Sequence, residues 1–483
     1  MNFKLLIKED KNILFIPFLA VALRLIIFIF IPNIYEDAYI TFRYAENLAV
    51  GNGFVYNLGE RVLGTTTPFF GLLLAFFKYF GVPCEISSLA INLVSEGVTT
   101  FIIYTLLKGF SGDKIAAIPA LLYVFSPSNI SWSISGMETA FYTAIIALSF
   151  YNLIRKEYFW AMLFGVLSAI IRIDGLSVTA VVFIFVLINE KSIKSRTILL
   201  PLLLFILWEA FLFQYFDALI PTTLQAKLNL YSAHQPSKYT ALFHILQKFF
   251  VKGNYLSSFL SLAFISGIVI VVIKKIEWLA LPSWFFTYFG AMSLANVHMH
   301  GWYYIPPLFS YITIAGITLL FLYEYVTKIK PSAKPIIKGV FLSGIIAMSL
   351  ITLIPKIQQI KDERGLTRVL TEIGVYLNRH TPEDATIYLE PIGFIGYFSK
   401  RYIFDESGLV SPQFIELSKL ENNISTKAKK IALANPDYLL LRIKYLSEYY
   451  QYSRLSDNFR EIERYNHYFN GIQEGLVVFE RIK

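Results

Sequence analysis

Apolar runs of about 20 residues recur along the first 357 positions, separated by short polar stretches. A run of that length, coiled into α-helix, matches the hydrocarbon core of a bilayer. The runs predict membrane spans at about 12–31, 86–108, 114–127, 137–154, 158–173, 175–190, 197–216, 255–273, 277–295, 303–325 and 336–356. The run at 114–127 is short. Pro68 to Phe80 is apolar but too short to cross, so it is expected to lie in the outer interface or to re-enter.

From about Gln358 the pattern changes. Charged residues rise and the apolar runs shorten. Lys361 to Arg379 reads as an amphipathic helix, and Ala385–Leu389, Tyr402–Phe404, Tyr438–Leu441 and Leu476–Phe479 read as short strands between helical stretches. The expected architecture is an α-helical polytopic membrane domain, residues 1–357, with a first outer loop at 32–85, followed by a soluble α/β domain, residues 358–483.

Composition agrees with a membrane protein. The chain is 55% hydrophobic and only 16% charged. Such a balance is unusual for a soluble domain. The net charge of +9 would suit nucleic acid, but the basic residues mostly flank the spans. Lys4, Lys8 and Lys11 precede the first run, which reads as a signal anchor. Lys108 and Lys114, Arg155 and Lys156, Lys191, Lys194 and Arg196, Lys274 and Lys275, and Lys328, Lys330, Lys334 and Lys338 fall at alternate joints. This is the positive-inside pattern. It predicts a cytoplasmic N-terminus and an extracytoplasmic C-terminal domain in a plasma membrane. Polar segments 126–139, 172–175, 217–253 and 298–304 then share the outer side with loop 32–85. The lone Cys84 excludes an intramolecular disulfide framework and a cysteine-based metal site.

The opening loop carries the densest chemistry. Glu36 and Asp37 start a helical pattern from Tyr35 to Leu48, with Ile40, Tyr44 and Leu48 on one stripe and Glu36, Tyr39 and Arg43 on its neighbour. Asp37 reads either as a general base at a helix N-terminus or as a plain N-cap. Arg172 either binds an anion or pairs with Asp174. Glu138 either holds a sugar hydroxyl, positions Arg172, or complements a helix dipole. Lys227 either binds phosphate or snorkels to the interface. His298 and His300 stand at a span end, and Arg43 has Glu36 and Glu46 within reach along its helix. Trp132, Trp302, Tyr303 and Tyr304 read as belt residues, with sugar stacking as their functional alternative. Gly393 and Gly396 lack the G-x-G-x-x-G spacing of a dinucleotide site.

The segment EDAYITFRYAENLAVGNGFVYNLGERVLGTTTP strongly resembles the first outer loop of membrane glycosyltransferases of the GT-C fold, in particular relatives of a mycobacterial arabinofuranosyltransferase that uses decaprenyl-phosphate arabinose. Those loops typically read D-D-A-[FY]-I-[ST]-F-R-Y-A, then G-x-G-x-V-[FY]-N, then G-E-x-V-x-G-[YT]-T. Glu36 departs from the usual first Asp, and Asp37 matches the second. SGMET (135–139), RIDG (172–175), PTTLQAK (221–227, with Thr222 in place of Asn) and GFIGYFSKRYIFDESGLVSP (393–412) resemble further segments of the family.

The resemblance implies a GT-C protein of about 11 transmembrane helices, catalysing inverting transfer of a monosaccharide from a polyprenyl-phosphate donor to a glycan, lipid or protein acceptor on the outer face. Asp37 would be the base, assisted by Glu36. Lys227, Arg172, Arg43, His298 and His300 would meet the donor phosphate, on which charge grows as the bond breaks. Glu138, Thr66, Trp302 and Tyr303 would meet sugar or acceptor. The contrasting reading is a transporter or flippase of lipid-linked glycans, which would also need buried charge in the membrane. No ligand spacing marks a metal site, so no metal or cofactor is expected, although carboxylates and phosphate could share a divalent ion.

Overall fold

Helices dominate the structure, a computed structural model that describes residues 10, 12–112, 114–189, 195–232, 242–244, 246–247, 255–417, 420, 423–469 and 472–482. The chain divides into two units: Met1–Asn33, Ser88–Trp208 and Pro236–Ile357 form one, and Ile34–Ser87, Glu209–Gln235 and Gln358–Lys483 form the other. The opening loop therefore groups with the C-terminal segment. The sequence pattern had assigned it to the membrane domain.

The first unit is a helical bundle. Among the described residues, four helices are long and apolar enough to cross a membrane: Ile13–Phe30, Cys84–Ser111, Ser195–Phe216 and Gly301–Ile329. Shorter apolar helices include Thr139–Ile154, Tyr158–Ile171 and Ser258–Lys274. Leu199, Leu200, Leu203, Ile206 and Leu207 stand exposed on the Ser195–Phe216 helix, as a lipid-facing surface would require. The run expected to cross at 114–127 forms only an eight-residue helix, Ala117–Val124, and Pro127 opens a separate short helix to Ser133. Proline removes a backbone donor and disfavours helix at the residue before it, which suits a break at Ser126.

A buried ion pair ties this unit together. Arg24 and Glu96 meet at 2.6 Å, both side chains fully enclosed. Asn129 donates to Glu96 at 3.0 Å, and Arg24 also donates to the carbonyl of Val124 at 3.1 Å. A charge in an apolar bundle is tolerated only with such partners. Nothing local in the sequence links residues 24 and 96.

In the second unit, helices Glu36–Ala49 and Pro68–Tyr79 pack on each other. Twelve residues of Pro68–Tyr79 reach about 18 Å, short of a span. A long helix runs unbroken from Lys334 to His380 through Pro355, beginning in the first unit and ending in the second. The sequence had predicted a span and a separate amphipathic helix there. A five-stranded sheet follows: β1 (Thr386–Leu389), β2 (Tyr402–Asp405), β3 (Tyr438–Arg442), β4 (Phe459–Phe469) and β5 (Ile472–Arg481). Its order is β2-β1-β3-β5-β4, with β1 parallel to β2 and β3, and β5 antiparallel to β3 and β4. Tyr388, Phe414, Leu439, Leu441, Tyr449, Val477 and Phe479 form its core. Strand β4 was not foreseen. FREIERYNHYF is charged on both faces, which suits an edge strand but hides the alternation that betrays one.

Candidate active site

Glu36 and Asp37 are the first two residues of the helix Glu36–Ala49. Tyr35 occupies the N-cap position and no side chain caps the helix, so Asp37 is not the N-cap. Two carboxylates in a first turn are favoured by the helix dipole. Every residue from Ala38 to Ala45 is buried, which fixes the helix, while Asp37 itself remains partly exposed. Among the described residues Asp37 has no ion-pair partner. Its neighbour is Glu36, a like charge.

Glu36 is held elsewhere. Its Oε1 accepts the backbone N–H of Gly393, at the start of the helix Gly393–Ser399. A Cβ at Gly393 would collide with the Glu36 carbonyl, so this close approach needs glycine. Burial pushes the Glu36 carboxyl well above the usual range, the neighbouring Asp37 charge adds to this, and the Gly393 N–H opposes it. The longer side chain, unusual at this position in the family motif, is the one that makes this bond.

Four other polar residues of the opening loop, Arg43, Tyr56, Asn57 and Glu60, dock the C-terminal segment. Arg43, 7% exposed, donates from Nη1 to the Gly396 carbonyl and from Nη2 to the Arg401 carbonyl, both at 2.7 Å, and lies 4.1 Å over the Tyr56 ring. Tyr56 Oη donates to the Ile392 carbonyl at 2.6 Å. Asn57 pairs both ways with Ile403, at 2.9 and 3.0 Å. Tyr402 Oη donates to Glu60 at 2.5 Å. A Cβ at Gly396 would strike the Tyr56 hydroxyl, so this site too is closed to larger residues. Tyr39 packs among Phe394, Tyr397 and Phe398, with ring centroids 4.4, 5.0 and 5.5 Å away. The F-R-Y, V-Y-N and G-E elements of the loop are thus largely a docking code. Arg43, expected at the donor phosphate, here acts as a clamp: one N–H of each terminal nitrogen goes to a backbone carbonyl. Its expected acidic neighbours are not its partners either.

Thr66 is exposed, while Thr65 bonds Thr41 across 3.1 Å beneath it. Thr222, in place of the family's Asn, bonds the Leu63 carbonyl through both its N–H, at 2.9 Å, and its Oγ1, at 2.8 Å. That seats the start of the helix Thr222–Ser232, which carries Lys227, on the opening loop. The Lys227 side chain lies outside the described residues, as does much of the stretch 233–254.

The first unit holds a second constellation. Arg172, buried, donates from Nη1 to Glu138 at 2.8 Å and from Nε and Nη2 to Asp174 at 3.0 and 3.1 Å. Its guanidinium lies 5.1 Å from the Tyr142 ring centroid and 4.9 Å from that of Tyr303. Asn92 donates to the Met137 carbonyl at 2.8 Å and so holds the segment that presents Glu138. His300 stacks on Trp302 at 4.5 Å, Trp302 meets Trp132 edge-on at 5.3 Å, and His298 is exposed beside His300. Trp302 and Tyr303 are buried among these rings, so neither offers a free stacking face for sugar. Arg172 is flanked by two carboxylates, so its charge is balanced within the protein by Glu138 and Asp174. The structure therefore gathers Arg172, Glu138, His298, His300, Trp302 and Tyr303 in one unit, and Asp37, Glu36, Arg43 and Thr66 in the other. Among the described residues, no three His, Cys, Asp or Glu side chains converge into a metal-holding set.

The fold is that of the GT-C membrane glycosyltransferases. The chain superposes on ArnT from Cupriavidus metallidurans bound to undecaprenyl phosphate with a TM-score of 0.59 and 10% identity, covering 95% of this chain and 97% of that one. It superposes on the Archaeoglobus fulgidus oligosaccharyltransferase, in complex with zinc and sulfate, with a TM-score of 0.52 and 11% identity, covering 96% and 72%. In sequence it is 24% identical over 215 residues to a terminal β-(1→2)-arabinofuranosyltransferase of Mycobacterium tuberculosis. That match spans 40% of this chain and 34% of the relative's length. Residues 357–474 match a family described as a domain of unknown function, DUF8728.

Proposed function

We propose that the chain is an inverting glycosyltransferase that moves a monosaccharide from a polyprenyl-phosphate donor to a glycan, lipid or protein acceptor. The observation that carries this reading is Asp37: a partly exposed carboxylate at the mouth of a buried helix, without a cationic partner among the described residues, beside a Glu36 already committed to Gly393. Support comes from a fold shared with a protein crystallised with undecaprenyl phosphate and from partial similarity to an arabinofuranosyltransferase.

In this reading Asp37 takes the proton of an acceptor hydroxyl. The hydroxyl oxygen bonds to the anomeric carbon from the face opposite the lipid phosphate. The bond from that carbon to the phosphate oxygen breaks, and the phosphate leaves with the electron pair. Lys227, in the same unit as Asp37, is assigned to the leaving phosphate. The basic joints of the chain favour an outer-face reaction. No step is assigned to a metal.

Glu36 is a positioning residue here. Glu36→Gln keeps the acceptor oxygen for Gly393 and removes a charge the site disfavours, so initial transfer rates are expected to fall no more than about threefold. Glu36→Asp shortens the reach to Gly393 and is expected to cost about tenfold or more in the same assay. The function itself is tested by incubating the purified full chain with a panel of polyprenyl-phosphate sugars and following glycoside formation by mass spectrometry. One donor is expected to be consumed, at an unchanged rate in EDTA. Inactivity with every donor and acceptor would count against the reading.

A further inference from the structure

Opposite chemistry to that of Asp37 gathers at the other functional-looking edge of the second unit. The parallel strands β2, β1 and β3 all end on one side of the sheet. The chain passes from β1 to β2 on one flank, then through the helix Ile424–Ala434 to β3 on the other flank. The direction of winding therefore reverses at β1. In open α/β sheets, the crevice beyond the carboxyl ends of strands at such a reversal is where ligands bind.

The residues at this edge are charged and unusually enclosed. Glu390 follows β1, Glu406 follows β2, Arg442 ends β3, and Lys444 and Tyr445 follow it. Lys427 and Lys430 lie one turn apart on the helix Ile424–Ala434, 2% and 5% exposed. Lysine is almost never so buried without a reason. Lys427 pairs with Glu406 and lies 4.5 Å from the Tyr445 ring centroid, and Lys444 lies 4.9 Å from the same centroid. Lys430 donates to the Glu406 carbonyl at 2.7 Å, and Arg442 clasps Glu390 at 2.8 Å. Asp405 at the end of β2 is spent on the N–H groups of Ser407, Leu409 and Val410. Four cationic side chains thus gather here, two of them paired with Glu390 and Glu406.

We infer that this edge of the sheet is a binding site for an oxyanion, a carboxylate or phosphate group, held by Lys427, Lys430 and Lys444. An acidic or phosphorylated sugar of an acceptor fits this chemistry, and that extension alone rests on the transfer reading. The site itself does not.

The charge state supports it. Burial pushes Lys427 down to about 7, Lys430, Lys444 and Arg442 push the same way, and Glu390 opposes them. Burial pushes Lys430 down to about 8, against the pull of Asp405. Asp405 is itself pushed up to about 6 by burial. A bound anion would favour both ammonium forms, so binding takes up protons. Affinity is therefore full below pH 7 and lost as pH rises through the two lysines' range.

The test is calorimetric titration of the detergent-purified full chain with inorganic phosphate, with glucuronate, and with glucose as the neutral control. Saturable binding of at least one anion is expected at pH 6.5, weaker by about tenfold at pH 9, with none for glucose. Phosphate alone would assign a phosphate-bearing group, and glucuronate alone a sugar acid. Lys444→Gln, at an exposed position, should weaken binding about threefold, and Glu406→Gln should tighten it by removing a competing carboxylate. Lys427→Gln with Lys430→Gln should abolish it. If that pair fails to fold, the two single variants still decide. No saturable anion binding, an affinity indifferent to pH, or single variants indistinguishable from the native chain would overturn the proposal. Turnover plays no part in this readout, so its failure would leave the transfer reading untouched.

Discussion

Asp37→Asn is expected to lower the rate of glycosyl transfer by about 10³-fold, while the chain folds and binds donor lipid as before. Asparagine keeps the size of the side chain but cannot accept the acceptor's proton. The buried stretch from Ala38 to Ala45 fixes the helix independently of residue 37, so the fold should not register the change. The loss is expected in kcat, because the proton moves only in the transition state. Initial-rate measurement over a range of acceptor concentrations separates this from a binding defect. Retention of native kcat would remove Asp37 as the base.

Arg43→Ala has the largest expected effect on stability. It deletes two charge-assisted hydrogen bonds to buried carbonyls and the stacking on Tyr56. At about 1.5–3 kcal/mol for each such bond, the cost is about 4 kcal/mol, felt where the opening loop grips residues 393–403. Arg43→Lys should recover only part of this, since an ammonium cannot span both carbonyls in a planar fork. Limited proteolysis of the purified chain checks the prediction. Cleavage within residues 50–64 or near Lys400 should accelerate strongly in Arg43→Ala and modestly in Arg43→Lys. Equal resistance of all three proteins would show that the clamp is not needed.

These two residues sit six positions apart on one helix, and they mark what sequence can and cannot convey. The helix itself was legible from its stripes, and its observed bounds differ from the expected ones by one residue at each end. The strands β1, β2 and β3 were legible as short apolar runs between turns. The partners of Arg43 were not, because Gly396 and Arg401 lie 353 and 358 residues along the chain. A basic residue in an outer loop looks the same whether it awaits a phosphate or clamps a distant carbonyl. The same limit applies to Arg172, where local pairing with Asp174 was foreseen and the bond to Glu138 was only one of several roles. It applies to Trp302 too, whose type suggested sugar stacking and whose position encloses it among protein rings. The unbroken helix through Pro355 is not legible in the sequence, because proline normally ends a helix and the charge pattern changes midway.

Glu36 shows the reverse case. It stands where the family motif usually has Asp, and the resemblance implies a helper to Asp37. In the structure its length lets it take the Gly393 N–H, which leaves Asp37 as the carboxylate available for chemistry. The docking of residues 393–403 onto the opening loop then has a functional meaning in the proposed reaction: the same contacts that order the C-terminal segment also orient the base.

The most direct measurement is of both products at once. The native chain, in lipid nanodiscs with a donor it accepts, should release one polyprenyl phosphate for each glycoside formed, and the glycoside should carry the inverted anomeric configuration. Intact donor recovered on the opposite leaflet, with neither product formed, would contradict the account and identify a transporter.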